Sequence, residues 1–360
     1  MNPATATQHK HRAKIRVLVV DDSPSMCKLI QQIINDEPDM EVIGTASDPF
    51  MAREMIKALN PDVLTLDVEM PRMNGLDFLA RLMRLRPMPV LMVSSLTSAG
   101  SGATMNALEA GAMDFVLKGD VSSPKGLATM AGSITGKLRE IVESHPNFEH
   151  AAPAHAPAAP AAPKKQVSQA IAAKKLIFIG SSTGGTEALR EFLSGMPASS
   201  PAILVTQHMP EHFTGSFAQR LNAASEMTVK EAAHNERIQP GHVYIAPGHS
   251  HLQVVKTGGA YYTALSGAEP VNRHRPSVDV LFESAAGYVG HDAIGILLTG
   301  MGKDGAVGML KMREAGAYNF AQDEASCVVF GMPRAAIELK AAHEILPLSG
   351  MAAGLLNKLT

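Results

Sequence analysis

Short, continuous apolar runs alternate with helical patterns along most of this chain. Runs of this kind, bounded by polar turns, are typical of strands in a parallel sheet that helices cover on both faces. Ser25 to Asn35 is one of the helical stretches between them. The sequence therefore predicts an α/β protein built from doubly wound parallel sheets. The predicted strands are Arg16–Val20, Val42–Gly44, Val63–Leu66, Val90–Val93, Phe115–Leu117, Leu176–Ile179, Ala202–Thr206, Val243–Ala246 and Ile294–Leu298.

An Ala/Pro-rich segment divides the apolar pattern into two halves. It includes Ala151–Pro160, whose composition cannot form a core and is typical of an extended spacer. A chain of 360 residues is long enough for two domains, each with its own core. We therefore predict a first domain over residues 14–137, a linker over 144–173 and a second domain over 174–360.

Charge and cysteine content exclude several classes of protein. The chain has 32 basic and 34 acidic residues, and the second domain has 15 and 16, so neither nucleic-acid binding nor a DNA-binding output is expected. No polybasic stretch or run of about 18 apolar residues predicts membrane insertion. Two cysteines, far apart, cannot form a disulfide framework. With a polar N-terminus lacking an apolar signal core, these features predict a cytoplasmic protein.

Polar residues stand at the ends of the strands in the first domain. Asp21 and Asp22 follow the first strand, Asp67 the third and Ser94 the fourth, and Lys118 ends the fifth. Because ligands bind where such strand ends converge, these side chains are expected in one crevice. Three carboxylates there predict a hard cation such as Mg²⁺, and an aspartate can accept a phosphoryl group. The alternative is that these are ordinary polar residues at strand ends, with no catalytic or ligand-binding role.

This arrangement resembles the receiver domain of two-component response regulators. The resemblance implies a flavodoxin-like domain with Asp67 as phosphoacceptor, Mg²⁺ held by Asp21, Asp22 and Asp67, and a histidine kinase as phosphodonor. It gives Ser94 and Lys118 the roles of switch hydroxyl and switch cation. One departure is Gly119, because the family usually has proline after the lysine. The matching residues are Asp21-Asp22, Asp67, Met70-Pro71, Gly75, Ser94 and Lys118.

A second chemical signal lies at the start of the second domain. Ser182 occupies a Gly-x-Ser-x-Gly turn, between a predicted strand and a predicted helix over Thr186 to Leu193. The glycines permit a sharp turn that exposes the hydroxyl, and the helix N-terminus suits a developing oxyanion. It also suits a phosphate, so a nucleotide loop is the alternative. The absence of Gly-x-Gly-x-x-Gly and of a Gly-Lys-Ser/Thr ending disfavours that alternative.

A nucleophilic serine needs a base and an orienting acid. His208 follows the strand Ala202–Thr206, and Asp304 follows the strand Ile294–Leu298. All three candidates lie at strand C-terminal ends and can meet in one crevice. The order Ser–His–Asp differs from the Ser–Asp–His order of the α/β-hydrolases, which disfavours that family.

The second domain resembles the catalytic domain of the chemotaxis receptor methylesterases, a Rossmann-like domain. The resemblance implies Ser182 as nucleophile, His208 as base, Asp304 as orienting acid and the backbone N–H groups of Thr183 and Met301 as oxyanion hole. It also implies demethylation of glutamate methyl esters on methyl-accepting chemotaxis receptors, glutamine deamidation, sensory adaptation, a chemotaxis histidine kinase as partner and no cofactor in this domain. The matching stretches are Ile179–Gly185, Gln207–Pro210, Asn272–Asp279 and Thr299–Gly305.

Two wider interpretations follow from the pairing of these domains. Phosphorylation at Asp67 is expected to shift the population away from an arrangement in which the receiver covers the Ser182 crevice. The competing function is a non-catalytic, phosphorylation-controlled scaffold, in which Ser182 belongs to a structural turn.

Other polar residues carry weaker signals. Ser181 raises the question of which serine attacks, and the motif spacing favours Ser182. His208 and His212 have the spacing of a zinc pair, but Pro210 between them disrupts the helix that such a pair requires. Two further pairs are left open: either could border the substrate or lie in a solvated loop. They are His249 with His251, and Arg273 with Arg275.

Overall fold

A computed structural model of the chain describes residues 14–70, 73–94, 103, 106–108, 110–119, 121–144 and 165–359. The chain divides into two compact units, one built around strands β1–β5 and the other around strands β6–β14. Among the described helices, none has the length and hydrophobicity that a membrane crossing requires.

The first unit is a five-stranded sheet with the strand order β2-β1-β3-β4-β5. The β1–β2, β1–β3 and β3–β4 pairs are parallel. Val17–Val20 in β1 and the whole of β3 are buried, as expected of strands covered on both faces. Its elements are β1 (Ile15–Val20), α1 (Pro24–Asn35), β2 (Met40–Ala46), α2 (Pro49–Leu59), β3 (Val63–Asp67), α3 (Gly75–Leu85), β4 (Val90–Ser94), β5 (Asp114–Leu117) and α4 (Pro124–Ser144).

The second unit contains a seven-stranded sheet with the order β14-β13-β12-β6-β7-β9-β8, in which each recorded pair is parallel. Strands β7, β8 and β9 lie on one side of β6, and strands β12, β13 and β14 lie on the other side. Its elements are α5 (Gln169–Lys174), β6 (Leu176–Ser181), α6 (Gly185–Ser194), β7 (Ala202–Gln207), α7 (Glu211–Ala224), β8 (Thr228–Glu231), β9 (His242–Ile245), β10 (His251–Thr257), β11 (Ala260–Ser266), α8 (Val278–Tyr288), a 3₁₀ turn (Gly290–Asp292), β12 (Ala293–Leu297), α9 (Ala306–Glu314), β13 (Tyr318–Gln322), α10 (Met332–Glu338), β14 (Glu344–Leu346) and α11 (Leu348–Leu359).

The predicted fold class, two doubly wound α/β domains, is confirmed. Several elements of the second domain were not predicted, including the antiparallel hairpin of β10 and β11 and the strands β8, β13 and β14. The hairpin packs through Leu252 and Val254 into the core that also contains Phe282 of α8. This packing matters for the site, because it supports the segment that leads into α8.

Both sheets place their reversal of strand order beside the predicted functional residues. In the first sheet the order reverses between β1 and β3, and in the second at β6, between β7 and β12. Open α/β sheets bind ligands at such reversals, outside the carboxyl ends of the strands. The topology therefore selects one crevice in each unit.

Candidate functional sites

The crevice of the first unit is organised by one lysine between two buried aspartates. Lys118 Nζ lies 2.8 Å from Asp21 Oδ2 and 2.8 Å from Asp67 Oδ2. Asp21 follows β1, Asp67 ends β3 and Lys118 follows β5, so three strand ends supply the cluster. Both carboxylates are almost fully buried, at 1% and 4% exposure, and this burial strengthens the ion pairs.

Asp22 completes an acidic cluster with these two aspartates. Each of Asp21, Asp22 and Asp67 offers a carboxylate oxygen, and these oxygens all lie within 4.8 Å of one another. Asp22 is exposed, so one side of the cluster is open to solvent. Oxygen donors with an open side suit Mg²⁺, which keeps several waters and takes one or two carboxylates. The donor set therefore fits this ion.

The remaining first-domain residues surround this cluster. Ser94 is buried at the end of β4, and its carbonyl oxygen accepts a hydrogen bond from the Lys118 N–H at 2.8 Å. Gly75 begins α3 directly behind Asp67: a Cβ there would overlap the Asp67 carbonyl oxygen. Met70 is buried, whereas Pro71 lies outside the described residues.

The environment perturbs both partners of the central ion pair. Burial raises the pKa of Asp67, and the hydrogen bond from Lys118 only partly opposes it. Burial alone would lower the pKa of Lys118, but hydrogen bonds to Asp21 and Asp67 hold it above its ordinary value. A lysine that is charged at neutral pH beside a buried carboxylate is suited to stabilising a phosphoryl group on that carboxylate.

In the second unit, Ser182 lies at the turn between β6 and α6. Its N–H donates to the Thr299 carbonyl oxygen at 3.0 Å, and its carbonyl oxygen accepts from Gly185 N at 2.7 Å. Gly184 has φ of +76°, and a Cβ there would overlap Val328, so the turn requires glycine on both counts. The nucleophile candidate is thus fixed by its backbone at the N-terminus of α6.

The Ser181 side chain is engaged within the core. It is fully buried at the end of β6, and its Oγ donates to Gln207 Oε1 at 2.7 Å. Gln207 Nε2 in turn donates to the carbonyl oxygens of Ser182, at 2.9 Å, and His208, at 3.2 Å. Gln207 thus connects the two turns that carry the nucleophile and the base, a role that the sequence did not reveal.

His208 and Asp304 form a direct pair. His208 Nε2 lies 2.8 Å from Asp304 Oδ2, and both side chains are largely buried. The His208 N–H donates to the Ser181 carbonyl oxygen at 3.1 Å, which fixes the base beside the end of β6. His208 Nδ1 is buried and has no hydrogen-bond partner within the described part of the chain, so the Ser182 hydroxyl is not bonded to the ring.

Asp304 also caps the N-terminus of α8. Its Oδ2 accepts from Val278 N at 2.7 Å and its Oδ1 from Asp279 N at 3.2 Å, while Ser277 Oγ donates to Oδ1 at 2.8 Å. Burial alone would raise the pKa of Asp304, but the hydrogen bonds from His208, Asn272 and Val278 hold it well below its ordinary value. Asp304 is therefore ionised at neutral pH.

The loop before α8 brings two further residues into the site. Asn272 Nδ2 donates to Asp304 Oδ1 at 2.7 Å and to Asp279 Oδ2 at 2.7 Å. The His274 ring stacks on the His208 ring, with centroids 3.7 Å apart and planes at 4°. Their presence in the Asn272–Asp279 motif was the one sequence signal that pointed to them.

The proposed oxyanion donors lie at the two turns that flank this pair. Thr183 follows Ser182 directly and is buried, whereas Met301, in the β12–α9 loop, is 42% exposed. The Met301 N–H has no acceptor among the described residues. An available backbone donor beside a serine turn is what an oxyanion requires.

The histidines and arginines that the sequence left open have different environments. His251 is not a solvated loop residue: it is 1% exposed, its Nε2 contacts Glu269 O at 3.1 Å and its Nδ1 accepts from Ser277 N at 3.1 Å. His249 is half exposed beside Glu211. Arg275 donates to the carbonyl oxygens of Gly267 and Ala268, and Arg273 is exposed.

The structure gives no support to a zinc pair at His208 and His212. His212 is exposed on α7, and His208 is committed to Asp304. Within the described residues, the aspartate cluster of the first unit is the one group of possible metal ligands.

Two protein families match this chain, one for each unit. The response regulator receiver domain matches residues 17–124, and the CheB methylesterase family matches residues 177–355. The resemblances drawn from the sequence motifs are thereby confirmed.

Close relatives span both units. The chain is similar to a protein-glutamate methylesterase/protein-glutamine glutaminase of Cupriavidus pinatubonensis, with 59% identity over 94% of each chain. A protein of the same name from Nitrosomonas europaea is 56% identical over 96% of this chain and 97% of its own length. The crystal structure of the Thermotoga maritima CheB methylesterase catalytic domain matches 51% of this chain and 98% of its own length, with 42% identity and a TM-score of 0.50.

Proposed function

This chain belongs to the CheB methylesterase family, and we propose that it is a phosphorylation-activated serine hydrolase acting on glutamate methyl esters of methyl-accepting chemotaxis receptors. The same site deamidates particular receptor glutamines, and the two reactions together serve sensory adaptation. The observation that carries the hydrolase proposal is the buried His208–Asp304 pair beside the Ser182 turn.

In the first half of the reaction, Ser182 Oγ attacks the ester carbonyl carbon and His208 Nδ1 takes the hydroxyl proton. Nδ1 is the nitrogen available for this task because Nε2 is held by Asp304. The imidazolium that forms is stabilised by the ionised Asp304, which need not take a proton. The backbone N–H groups of Thr183 and Met301 hold the oxyanion, aided by the N-terminus of α6.

In the second half, His208 returns its proton to the departing methoxide oxygen, which releases methanol and leaves an acyl-enzyme on Ser182. Water, deprotonated by His208, then attacks the acyl carbon, and the Ser182 oxygen leaves with the returned proton. With a glutamine side chain the same proton transfer releases ammonia. Both routes yield a glutamate carboxylate.

Covalent trapping tests the nucleophile. A fluorophosphonate, which reacts with activated serines, is expected to label wild-type protein on Ser182 and to leave Ser182→Ala unlabelled in peptide mass spectra. The control is Ser181→Ala, which should still be labelled. Labelling of Ser181 in the wild type, or no labelling at all, contradicts the assignment.

We also propose that Asp67 is phosphorylated by a chemotaxis histidine kinase. Asp21, Asp22 and Asp67 would hold Mg²⁺, whose charge would supply electrostatic stabilisation for phosphoryl transfer. Lys118 pairs with a phosphoryl oxygen, and Ser94 supplies the switch hydroxyl. The ion pairs of Lys118 with Asp21 and Asp67 support this assignment.

Phosphorylation is proposed to favour a catalytically competent population, which requires that the phosphoryl group stabilise that state more than the resting one. The proposed domain limits are residues 14–137 for the receiver, 144–173 for the linker and 174–360 for the catalytic domain. A cytoplasmic location follows from the proposed partners and agrees with two free cysteines, Cys27 and Cys327.

Phosphorylation is tested by incubation with acetyl phosphate and intact-mass measurement. Wild type should gain one phosphoryl group with Mg²⁺ and none with excess EDTA, and Asp67→Asn should gain none in either case. Phosphorylation of Asp67→Asn to the wild-type extent would contradict the choice of acceptor.

A further inference from the structure

We propose that residues 271–277, termed the clamp loop, position the catalytic base and its acid through two residues, Asn272 and His274. The inference rests on the function proposed above and adds to it two positioning residues. Asn272 contacts the acid and His274 contacts the base, so one short segment contacts both members of the His208–Asp304 pair.

Asn272 uses a single amide group to join two buried carboxylates. Its Nδ2 is 2.7 Å from Asp304 Oδ1 and 2.7 Å from Asp279 Oδ2. An amide NH₂ has two hydrogens, so both bonds can form together. Asp279 and Asp304 are 6% and 2% exposed, and two such carboxylates repel each other unless donors lie between them. Asn272 supplies those donors.

Asp279 connects the Asn272–Asp304 contact to helices α8 and α9. Its Oδ1 accepts from Gly308 N in α9 at 2.6 Å, and its own N–H donates to Asp304 at 3.2 Å. Burial and the neighbouring Asp304 charge raise the pKa of Asp279. The Asn272 amide thus holds Asp304 against a residue that is itself fixed to two helices, α8 and α9.

The backbone of the clamp loop is shaped for this contact. Asn272 has φ of +53° and Arg273 has φ of +68°, a region that asparagine tolerates better than most residues. Val271 and His274 exchange backbone hydrogen bonds at 2.9 and 3.0 Å, which closes the turn around Asn272. The turn presents the Asn272 amide to Asp304 and the His274 ring to His208.

His274 restricts the other member of the pair. The two imidazoles are nearly parallel, with centroids 3.7 Å apart, so His274 covers one face of the His208 ring. Rotation of the His208 ring would move Nε2 away from Asp304. Contact with the flat His274 ring keeps His208 Nε2 bonded to Asp304. Nδ1 then stays available as the general base, which is the orientation that catalysis needs.

Two substitutions at each position separate positioning from folding. Asn272→Gly keeps access to positive φ but removes the amide, and Asn272→Asp keeps the shape while replacing the donors with a third carboxylate. His274→Ala removes the stacked ring, whereas His274→Phe keeps a flat ring. The matched control is Asn235→Gly, since Asn235 is an exposed turn residue with φ of +57° elsewhere in the domain.

We expect both Asn272 variants and His274→Ala to lower kcat for methanol release by about 10- to 100-fold, the cost of a small misplacement of catalytic groups. KM should be unchanged, because neither residue is proposed to touch substrate. The rate of Ser182 labelling by a fluorophosphonate should fall in parallel, because it depends on the same base. His274→Phe should stay within about threefold of wild type, and Asn235→Gly should equal it.

The outcomes distinguish this inference from the proposed function. If wild type neither reacts with the fluorophosphonate nor releases methanol, the proposed function fails. If wild type is active and Asn272→Gly and His274→Ala keep its kcat and labelling rate, the clamp loop has no positioning role. A loss of kcat matched by a lowered thermal unfolding midpoint and restored at low temperature would assign these residues to stability and would also overturn the inference.

Discussion

The Asp304 carboxylate meets the His208 ring at Nε2, 2.8 Å away, while the same carboxylate caps helix α8 through Val278 N. One group thus serves both a predicted catalytic pair and a helix N-terminus. Because Nε2 is committed to the acid, the tautomer that can accept a proton does so at Nδ1. The helix cap keeps the acid ionised and fixed, so its orientation is set by the fold.

Replacing this acid should damage catalysis far more than structure. Asp304→Asn keeps an oxygen that can accept from Val278 N, but it removes the charge that stabilises the imidazolium and permits the wrong tautomer. We expect kcat for methanol release to fall by about 10⁴-fold, as such a change does in other serine hydrolases. A fall of less than tenfold would show that Asp304 does not orient the base.

The free energy of unfolding should depend on pH in a way that reflects the lowered pKa of Asp304. A carboxyl whose folded pKa is depressed adds stability above its unfolded pKa of about 3.9, and that stability is lost as the pH falls through the folded value. The free energy of unfolding of wild type should therefore exceed that of Asp304→Asn at pH 7, and the difference should shrink below about pH 4. Denaturant unfolding at pH 7, 4 and 3 measures it. A difference that stays constant would contradict the depressed pKa.

The two adjacent serines should respond in opposite ways. Ser181→Ala leaves the buried Gln207 Oε1 without its donor, so it should lower the free energy of unfolding by about 1–3 kcal/mol and retain methanol release. Ser182→Ala should abolish release and leave stability nearly unchanged. Denaturant unfolding and a methanol assay on both variants give the answer, and loss of activity in Ser181→Ala at full stability would exchange the roles.

Gly75 should be needed for phosphorylation because of its contact with the end of β3. A methyl group at position 75 would overlap the Asp67 carbonyl oxygen, so Gly75→Ala must displace either α3 or the acceptor strand. We expect the rate of phosphorylation by acetyl phosphate to fall at least about tenfold, since phosphoryl transfer depends on positioning.

Gly119→Ala is the matched control for Gly75→Ala. Apart from its two chain neighbours, none of the described residues has an atom within 4 Å of a Cβ at position 119, although the residue directly follows Lys118. Its phosphorylation rate should equal that of wild type. If Gly75→Ala is phosphorylated as fast as Gly119→Ala, the end of β3 can move to accommodate the methyl group. The proposed rigidity of the acceptor site would then be wrong.

Strand ends were the part of the molecule that sequence predicted best. The positions of Asp21, Asp67, Ser182 and His208 follow from buried strands whose apolar runs are continuous. Parallel topology then brings those ends together without any knowledge of side-chain contacts.

The supporting residues could not be predicted in the same way. Gln207, Asn272 and His274 act through contacts across the fold, and the loop that carries Asn272 and His274 has no periodic pattern. The environment of His251 depends on the β10–β11 hairpin, which was itself missed because its strands alternate weakly between buried and exposed residues. Tertiary packing, and not local sequence, decides these positions.

The central claim is that one chain couples phosphorylation of Asp67 to ester hydrolysis at Ser182. The direct test is methanol release from methylated receptor cytoplasmic fragments, with and without acetyl phosphate and Mg²⁺, for wild type, Ser182→Ala and Asp67→Asn. We predict release that requires Ser182, rises with the phosphodonor in wild type and does not rise in Asp67→Asn. Release that persists in Ser182→Ala, or that rises equally in Asp67→Asn, would contradict the account.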